Sequence, residues 1–298
     1  MSRQNLIRKG KHLLEYAPLW IVSRLSRCLT FSQFSDLGAK LGRFVGRLYP
    51  RFSNVADKNI CRAFPSYTDD QRKQLIIAAC ENLGRTFFEY FSYDRALLDP
   101  KFQVHIDEES SFLKYKGLGR PIVFVSAHFG NWEIGAFESY RHDFPVTPIY
   151  RAINNPYVDN LILKCRAPHV VEQIPKGKTA GIRCLRTLKK GNSIVVLADQ
   201  KNDQGLQIPF FGHLAPTVDG FVKLAQSSDA LIVPIRIIRK NGTQFHIYTD
   251  PPLDPRQFGD DVEGVLVKIN GIIEGWIRQN PDQWFWFHRR WAKSYYRE

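Results

Sequence analysis

The chain of 298 residues is short of the features that mark several common protein classes. It has five cysteines, Cys28, Cys61, Cys80, Cys165 and Cys184, an odd number with no C-x-x-C pair. That spacing argues against a disulfide framework and against a zinc site, and it fits a reducing, cytosol-facing environment. Long apolar runs are also missing. A membrane-spanning helix needs about 20 mostly apolar residues, and the best candidate, Tyr16 to Ser23, is broken by Arg24 and Arg27. The basic start is followed by too short an apolar stretch, with no small-residue cleavage site, for a secretory signal to be expected. Acidic residues are outnumbered, 29 against 42 Lys and Arg, giving a net charge of +13. There are no internal repeats, no low-complexity tract and no convincing linker.

Other absences exclude chemistries. Gly177-Lys178-Thr179 imitates the end of a P-loop, but Glu172 stands where its first glycine is required. Ser126 lies in no G-x-S-x-G elbow, so a serine hydrolase would lack its nucleophile. His128, His142 and His169 have no metal-ligand spacing, so the expected chemistry is metal-free and needs no cofactor.

The excess positive charge is concentrated. Between residues 1 and 50, nine Lys or Arg face only Glu15 and Asp36, with Leu13, Leu14, Leu19, Trp20, Ile21, Leu25 and Phe31 interleaved. This composition suits an interfacial helix on an anionic leaflet, where each basic residue contributes about 1 kcal/mol. A nucleic-acid binder would be basic too, but no helix-turn-helix, zinc-finger or RNP-like signal accompanies the charge, and no nucleic acid is expected as partner. A plain solvated basic surface remains the third reading.

The first hundred residues read as a helical, membrane-associating region, and 101–298 as one continuous α/β catalytic domain. Phe34, Leu37, Leu41, Phe44, Val45 and Leu48 recur at helical spacing, with Pro50 ending the element. Thr68-Asp69-Asp70-Gln71 forms a capping-box pattern ahead of Leu75, Ile76, Ala79, Leu83, Phe87 and Phe88. The aromatic crowd from Phe87 to Tyr93 suits an acyl pocket or a core equally well. Further on, 122–126, 146–150, 193–198 and 231–238 read as strands, and 155–167, 178–189, 217–227 and 260–278 as helices. That alternation predicts a mixed, mostly parallel central sheet flanked by helices. Asn241-Gly242 predicts a hairpin and an antiparallel edge.

The most informative segment is PIVFVSAHFGNWEIG, residues 121–135. An apolar run ends on His128, and Glu133 follows five residues later across a turn that Gly130 permits. A carboxylate on one imidazole nitrogen fixes the tautomer and makes the other nitrogen a base for a hydroxyl proton. By itself the pair fits a buried histidine and a first-turn helix acid equally well. Ligands of open α/β sheets gather at the carboxyl ends of strands. Arg151 and Asp199 share that address with His128.

HFGNWE, followed in order by Tyr150-Arg151, Asn154-Asn155-Pro156, Leu197-Ala198-Asp199-Gln200, Pro209-Phe210-Phe211-Gly212 with Ala215, Thr217 and Gly220, and Trp286-Phe287-His288-Arg289-Arg290, resembles the late acyltransferases of lipid A biosynthesis, the lauroyl and myristoyl acyltransferase family. These are relatives of the lysophospholipid acyltransferases and of mycobacterial phosphatidylinositol mannoside acyltransferases. The similarity runs from about residue 45 to the C-terminus, and Asn59 to Phe64 resembles the family's early N-x-x-x-x-F-P segment.

The resemblance implies an acyltransferase. The donor would be acyl-(acyl carrier protein), the acceptor a hydroxyl of a lipid A precursor, and the place the cytoplasmic face of the inner membrane. It implies His128 as general base, Glu133 as its orienting acid and Arg166 as the oxyanion partner. From their own chemistry, substrate-binding roles are expected for Arg151, whose guanidinium offers a fork of donors to phosphate or sugar, for Asp199 on a sugar hydroxyl or equally in a salt bridge with an arginine, and for Arg289 and Arg290 on the acceptor head group. Asn154 and Asn155 are expected to serve a turn and cap the helix begun by Pro156. The absence of a spanning helix departs from many family members. The competing readings are an acyltransferase on another glycolipid or a lysophospholipid, with acyl-CoA as donor, and a non-enzymatic basic binder.

Overall fold

The computed structural model describes the backbone of residues 3–48 and 50–297, and the side chains of 5, 8–48 and 54–297. Four helices come first: α1 (Arg3–Leu25), α2 (Phe31–Leu48), α3 (Pro50–Ala63) and α4 (Asp69–Glu89). The predicted capping box opens α4, with the Thr68 N–H donating to Gln71 Oε1 at 2.8 Å and the Gln71 N–H to Thr68 Oγ1 at 3.3 Å. Pro50 follows the end of α2 as predicted, but it also begins α3, because a proline fits the first turn of a helix, where its missing N–H has no partner to lose.

The remainder runs β1 (Gln103–Ile106), β2 (Ile122–Ser126), α5 (Glu133–Arg141), β3 (Val146–Tyr150), α6 (Pro156–Arg166), β4 (Ile174–Pro175) and α7 (Ala180–Lys189). It continues through β5 (Ser193–Leu197), β6 (Leu206–Phe210), β7 (His213–Thr217), α8 (Gly220–Ser228), β8 (Leu231–Asn241), β9 (Gln244–Thr249) and α9 (Val262–Gln279). Seven strands form one sheet in the order β1-β9-β8-β2-β5-β3-β4. Strands β8, β2, β5, β3 and β4 are parallel, and β9 turns back antiparallel to β8 at Asn241-Gly242. Beyond β9, β1 pairs with it in parallel, so the reversed edge is two strands wide rather than one. The fold class is the predicted one. The β6–β7 hairpin was not anticipated; its turn is Phe211-Gly212, both at positive φ.

Helices cover both faces of the sheet. One apolar cluster joins α3 and α4 (Ile60, Leu75, Ile76) with β2, β5, α8 and α9; the other joins α2 and α4 (Phe31, Phe34, Phe88) with α5 and the opposite face of β2 and β8. Of the aromatics from Phe87 to Tyr93, Phe88, Tyr90, Phe91 and Tyr93 belong to the second cluster, so they are core, while Phe87 is 39% exposed; none of them lines the cleft described below. The early Asn59 is wholly buried, and its Nδ2 donates to the carbonyls of Trp286 and His288 at 2.7 Å each, tying α3 to the C-terminal segment.

Candidate active site

Strand β2 delivers His128 to the carboxyl edge of the sheet, and its neighbour β5 delivers Asp199 to the same level, with Ser126 paired to Leu197. The Ala198 N–H donates to the Ser126 carbonyl at 2.9 Å, extending the pairing one step. His128 Nδ1 then lies 2.9 Å from Asp199 Oδ1, and the His128 backbone N–H donates to Oδ2, also at 2.9 Å. Trp284 Nε1 donates to the same Oδ2 at 2.8 Å. Asp199 is completely buried. Burial works against its charge, but the attraction and hydrogen bond of His128 and the Trp284 donor outweigh it, holding the carboxyl well below the usual carboxylate range. An ionised carboxylate only accepts, so Nδ1 carries the proton and Nε2 is the free basic nitrogen. Nε2 points to the Gln200 amide, 3.3 Å away.

The carboxylate on His128 is therefore Asp199, not Glu133 as expected. The reason is local. Glu133 is the first residue of α5, and its backbone N–H donates to Asn131 Oδ1 at 3.1 Å, so the chain turns there and carries the side chain away from the ring. Glu133 instead grips Arg166, the last residue of α6, through Nε at 3.0 Å and Nη2 at 2.8 Å. Burial disfavours the Arg166 cation, but Glu133 more than offsets it and the guanidinium stays charged. Its Nη1 also donates to Gln173 at 3.2 Å. Of the five N–H groups of a guanidinium, three are engaged in this way.

Gly130 sets the geometry of the turn. It has a φ of +58°, and a Cβ there would lie 1.8 Å from the Ile237 carbonyl oxygen, so no other residue fits without moving β8. Its carbonyl accepts from Asn82 Nδ2 at 3.0 Å and Thr86 Oγ1 at 3.1 Å, fastening the turn to α4.

In front of these residues opens a cleft of about 340 Å³, lined by His128, Glu133 and Arg166 together with Tyr150, Arg151, Asp159, Lys176 and Gln200. Trp132, Ala136, Pro148, Ile149, Ile153, Ile162, Val195 and Leu197 supply its apolar wall. The volume falls within the range of small-molecule pockets. Arg151 reaches this cleft from the end of β3. Lys176 follows β4, and its N–H donates to the Tyr150 carbonyl at 2.7 Å, which sets the two cations on adjacent chain segments. Burial in the cleft wall lowers the Lys176 pKa, opposed by Asp199 and reinforced by Arg151. Among the described residues, no carboxylate lies within 4 Å of either cation.

Sequence reasoning missed Lys176, Gln200 and Trp132. Gln200 carried a signal, since it stands beside Asp199 in the same motif.

Two other expectations are corrected. Arg290 is completely buried; it donates to the Pro216 carbonyl at 3.0 Å and Thr217 Oγ1 at 2.8 Å, and its guanidinium lies over Phe210. Burial pushes its pKa down to about 10. It is an internal brace between the β6–β7 hairpin and the C-terminus and cannot reach a head group. Arg289 is exposed over Tyr296 and is not among the cleft-lining residues, because the chain leaves the site after His288. His288 itself supports the site from behind, with its Nε2 3.1 Å from the Asp199 carbonyl. Asn155 caps α6 as expected, accepting from the Tyr157 N–H at 3.1 Å.

The family model for the bacterial lipid A biosynthesis acyltransferases matches residues 7–293. The chain belongs to this family. It is similar to the lipid A biosynthesis lauroyltransferase of Escherichia coli, with 26% identity over 91% of this chain and 88% of that one. The palmitoleoyltransferase of the same organism is 24% identical over 85% and 83%. A lipid A biosynthesis acyltransferase of Haemophilus influenzae is 25% identical over 91% and 86%. Among solved structures, the 1-acyl-sn-glycerophosphate acyltransferase of Thermotoga maritima covers 81% of this chain and 94% of its own, at 14% identity and a TM-score of 0.36. As a member of its family, the protein is an acyltransferase of the lipid A type.

Proposed function

We propose that the protein transfers a fatty acyl group from the thioester of an acyl carrier protein to a hydroxyl of a lipid A precursor, with His128 and Asp199 as the base and its orienting acid. The observation that carries this reading is the His128–Asp199 pair, whose Nε2 faces a cleft with an apolar wall and with Arg151 and Lys176 along one edge. The acceptor hydroxyl replaces the Gln200 amide at Nε2 and gives up its proton there as its oxygen attacks the thioester carbon. Asp199 stabilises the imidazolium. The carbonyl oxygen becomes an oxyanion, for which Arg166 has two uncommitted N–H groups. When the tetrahedral species collapses, the C–S bond breaks and the thiolate takes the proton back from His128. Glu133 then acts through Arg166, holding its guanidinium toward the cleft.

Arg151 and Lys176 suit a phosphate, as two cations at one edge of the cleft without a carboxylate partner. Both substrates are anionic, since acyl carrier proteins are acidic and lipid A precursors are phosphorylated; the charge of +13 favours encounter with each. Among the described residues, no helix is long and apolar enough to cross a membrane. Attachment to the cytoplasmic face of the inner membrane is therefore assigned to the basic, apolar-studded α1, on which Leu14 and Ile21 are exposed.

The test is an assay of purified protein with acyl-(acyl carrier protein) and a lipid A precursor, beside acyl-CoA and a lysophospholipid. His128→Ala is expected to lower turnover by about 10²–10⁴-fold in a chain that still folds by circular dichroism, with a lowered melting temperature because the buried Asp199 loses its Nδ1 partner. Transfer to the lysophospholipid alone would overturn the assigned acceptor. Retained turnover in His128→Ala would overturn the base.

A further inference from the structure

From Leu37 onward, helix α2 is built the wrong way round for a helix in water. Leu37, Leu41, Phe44 and Leu48 recur every three or four residues and so form one narrow stripe, which faces outward: they are 40, 48, 59 and 58% exposed. The opposite face carries glycines. A Cβ on Gly38 would lie 2.3 Å from the Gly84 carbonyl oxygen of α4, and one on Gly42 would lie 2.1 Å from that of Cys80, so the two backbones touch. Phe31 and Phe34 at its start are buried in the core, but from Leu37 onward the helix packs through small residues and turns its large apolar side chains outward, the pattern of helices associating in lipid and not of a water-exposed bundle. Contiguous exposed apolar surface of this kind marks a docking site.

The charges beside the stripe identify what docks. Lys40 and Arg47 each follow a stripe residue by three positions, so both lie along the same side of it. Both are exposed, and among the described residues neither has a carboxylate within 4 Å. Arg43, nearer α4, is already neutralised by Glu81 at 2.8 Å. Two copies of the chain packed stripe to stripe would bring like charges together, whereas an anionic lipid surface complements them. With four charged residues along its length, α2 lies in the interface and does not span it. We infer that the outward face of α2 is seated in an anionic lipid leaflet, making α2 a membrane-contact element in addition to α1. This rests on the reading that the acceptor is a membrane lipid.

The experiment measures sedimentation of the full chain with vesicles of phosphatidylcholine, alone or with phosphatidylglycerol added. The double variant Phe44→Glu, Leu48→Glu is expected to lose binding to both by roughly tenfold or more. Lys40→Gln with Arg47→Gln is expected to lose roughly fivefold per cation on the anionic vesicles only. Circular dichroism checks that each variant folds. Binding of the acidic variant equal to that of the native chain would overturn the inference. So would a native dimer that the acidic variant converts to a monomer without loss of vesicle binding, since the face would then belong to a second copy. Turnover on detergent-dispersed acceptor separates the two readings. If the native chain is inactive there, the proposed function fails; if it is active and the acidic variant still binds vesicles, only the α2 inference fails.

Discussion

The turn that carries His128 is bracketed by two arginine–glutamate pairs. Beneath it, Arg239 of β8 meets Glu89 of α4 at 2.5 and 2.8 Å, and both are buried. In front of it, Arg166 meets Glu133 at 2.8 and 3.0 Å, with side chains 13 and 15% exposed. The pairs look alike until their remaining donors are counted. Arg239 spends Nε on Asn82 Oδ1 and further N–H groups on the Gly242 carbonyl and Thr86 Oγ1, so all five of its donors are engaged. Glu89 also accepts from Ser35 and from Asn131, the latter in the His128 turn itself. The lower pair is a closed knot joining α2, α4, the turn and β8. Arg166 keeps two donors uncommitted and lines the cleft. The same residue types thus separate into a part that holds the turn in place and a part that can meet a substrate.

The sharpest way to break that contrast is to cut the lower pair. Glu89→Ala leaves a buried arginine without its counter-charge, which destabilises a protein by about 3–5 kcal/mol. Chemical denaturation should show that loss, and turnover per folded molecule should fall less than it does in Arg166→Ala. A native denaturation midpoint would mean that the knot is not what fixes the turn.

Cutting the upper pair should act on rate. Arg166→Ala is expected to lower turnover by about 10²–10³-fold, the usual cost of removing a donor to an oxyanion, with a smaller fall in stability than Glu89→Ala. Glu133→Gln keeps the shape of the pair but not the charge that holds the guanidinium. It should reduce turnover less than Arg166→Ala does, while the pH profile of turnover stays native. A profile displaced by Glu133→Gln would return the orienting role to Glu133 and contradict the assignment to Asp199.

That assignment shows where sequence reading succeeds and where it stops. Strand β2 was legible to the residue because its apolar run is short and β-branched, as a wholly buried strand is. Strand β3 was placed to the residue as well, although Thr147 and Pro148 interrupt it and its second half is only partly buried. The Thr68 capping box marked α4 by its own chemistry. His128, Arg151 and Arg166 were legible through motif and position. The partner of His128 was not. Glu133 is five residues away in sequence, but a helix start turns it aside. Asp199, 71 residues on, arrives beside the ring because β5 is the parallel neighbour of β2, a pairing that no spacing reveals. Arg290 misled for a related reason, since a charge in a terminal motif gives no sign that a hairpin and α9 will enclose it.

Acid unfolding gives the smallest expected effect and bears on the third carboxylate of the site. Asp199 has a folded-state pKa held below its unfolded value of about 3.9. A carboxyl depressed in this way contributes its stability above the unfolded pKa and loses it as pH falls through the folded one. The native chain should therefore lose this residue's contribution as pH falls below about 4 and through the depressed folded pKa. Asp199→Asn should be less stable at neutral pH, because its amide meets the donors of Trp284 and the His128 backbone. Its stability should then fall less steeply over the same acid range, since no proton is taken up at that position. Parallel acid profiles for the two proteins would mean that Asp199 is not the ionised partner of His128, and the tautomer on which the mechanism depends would lose its support.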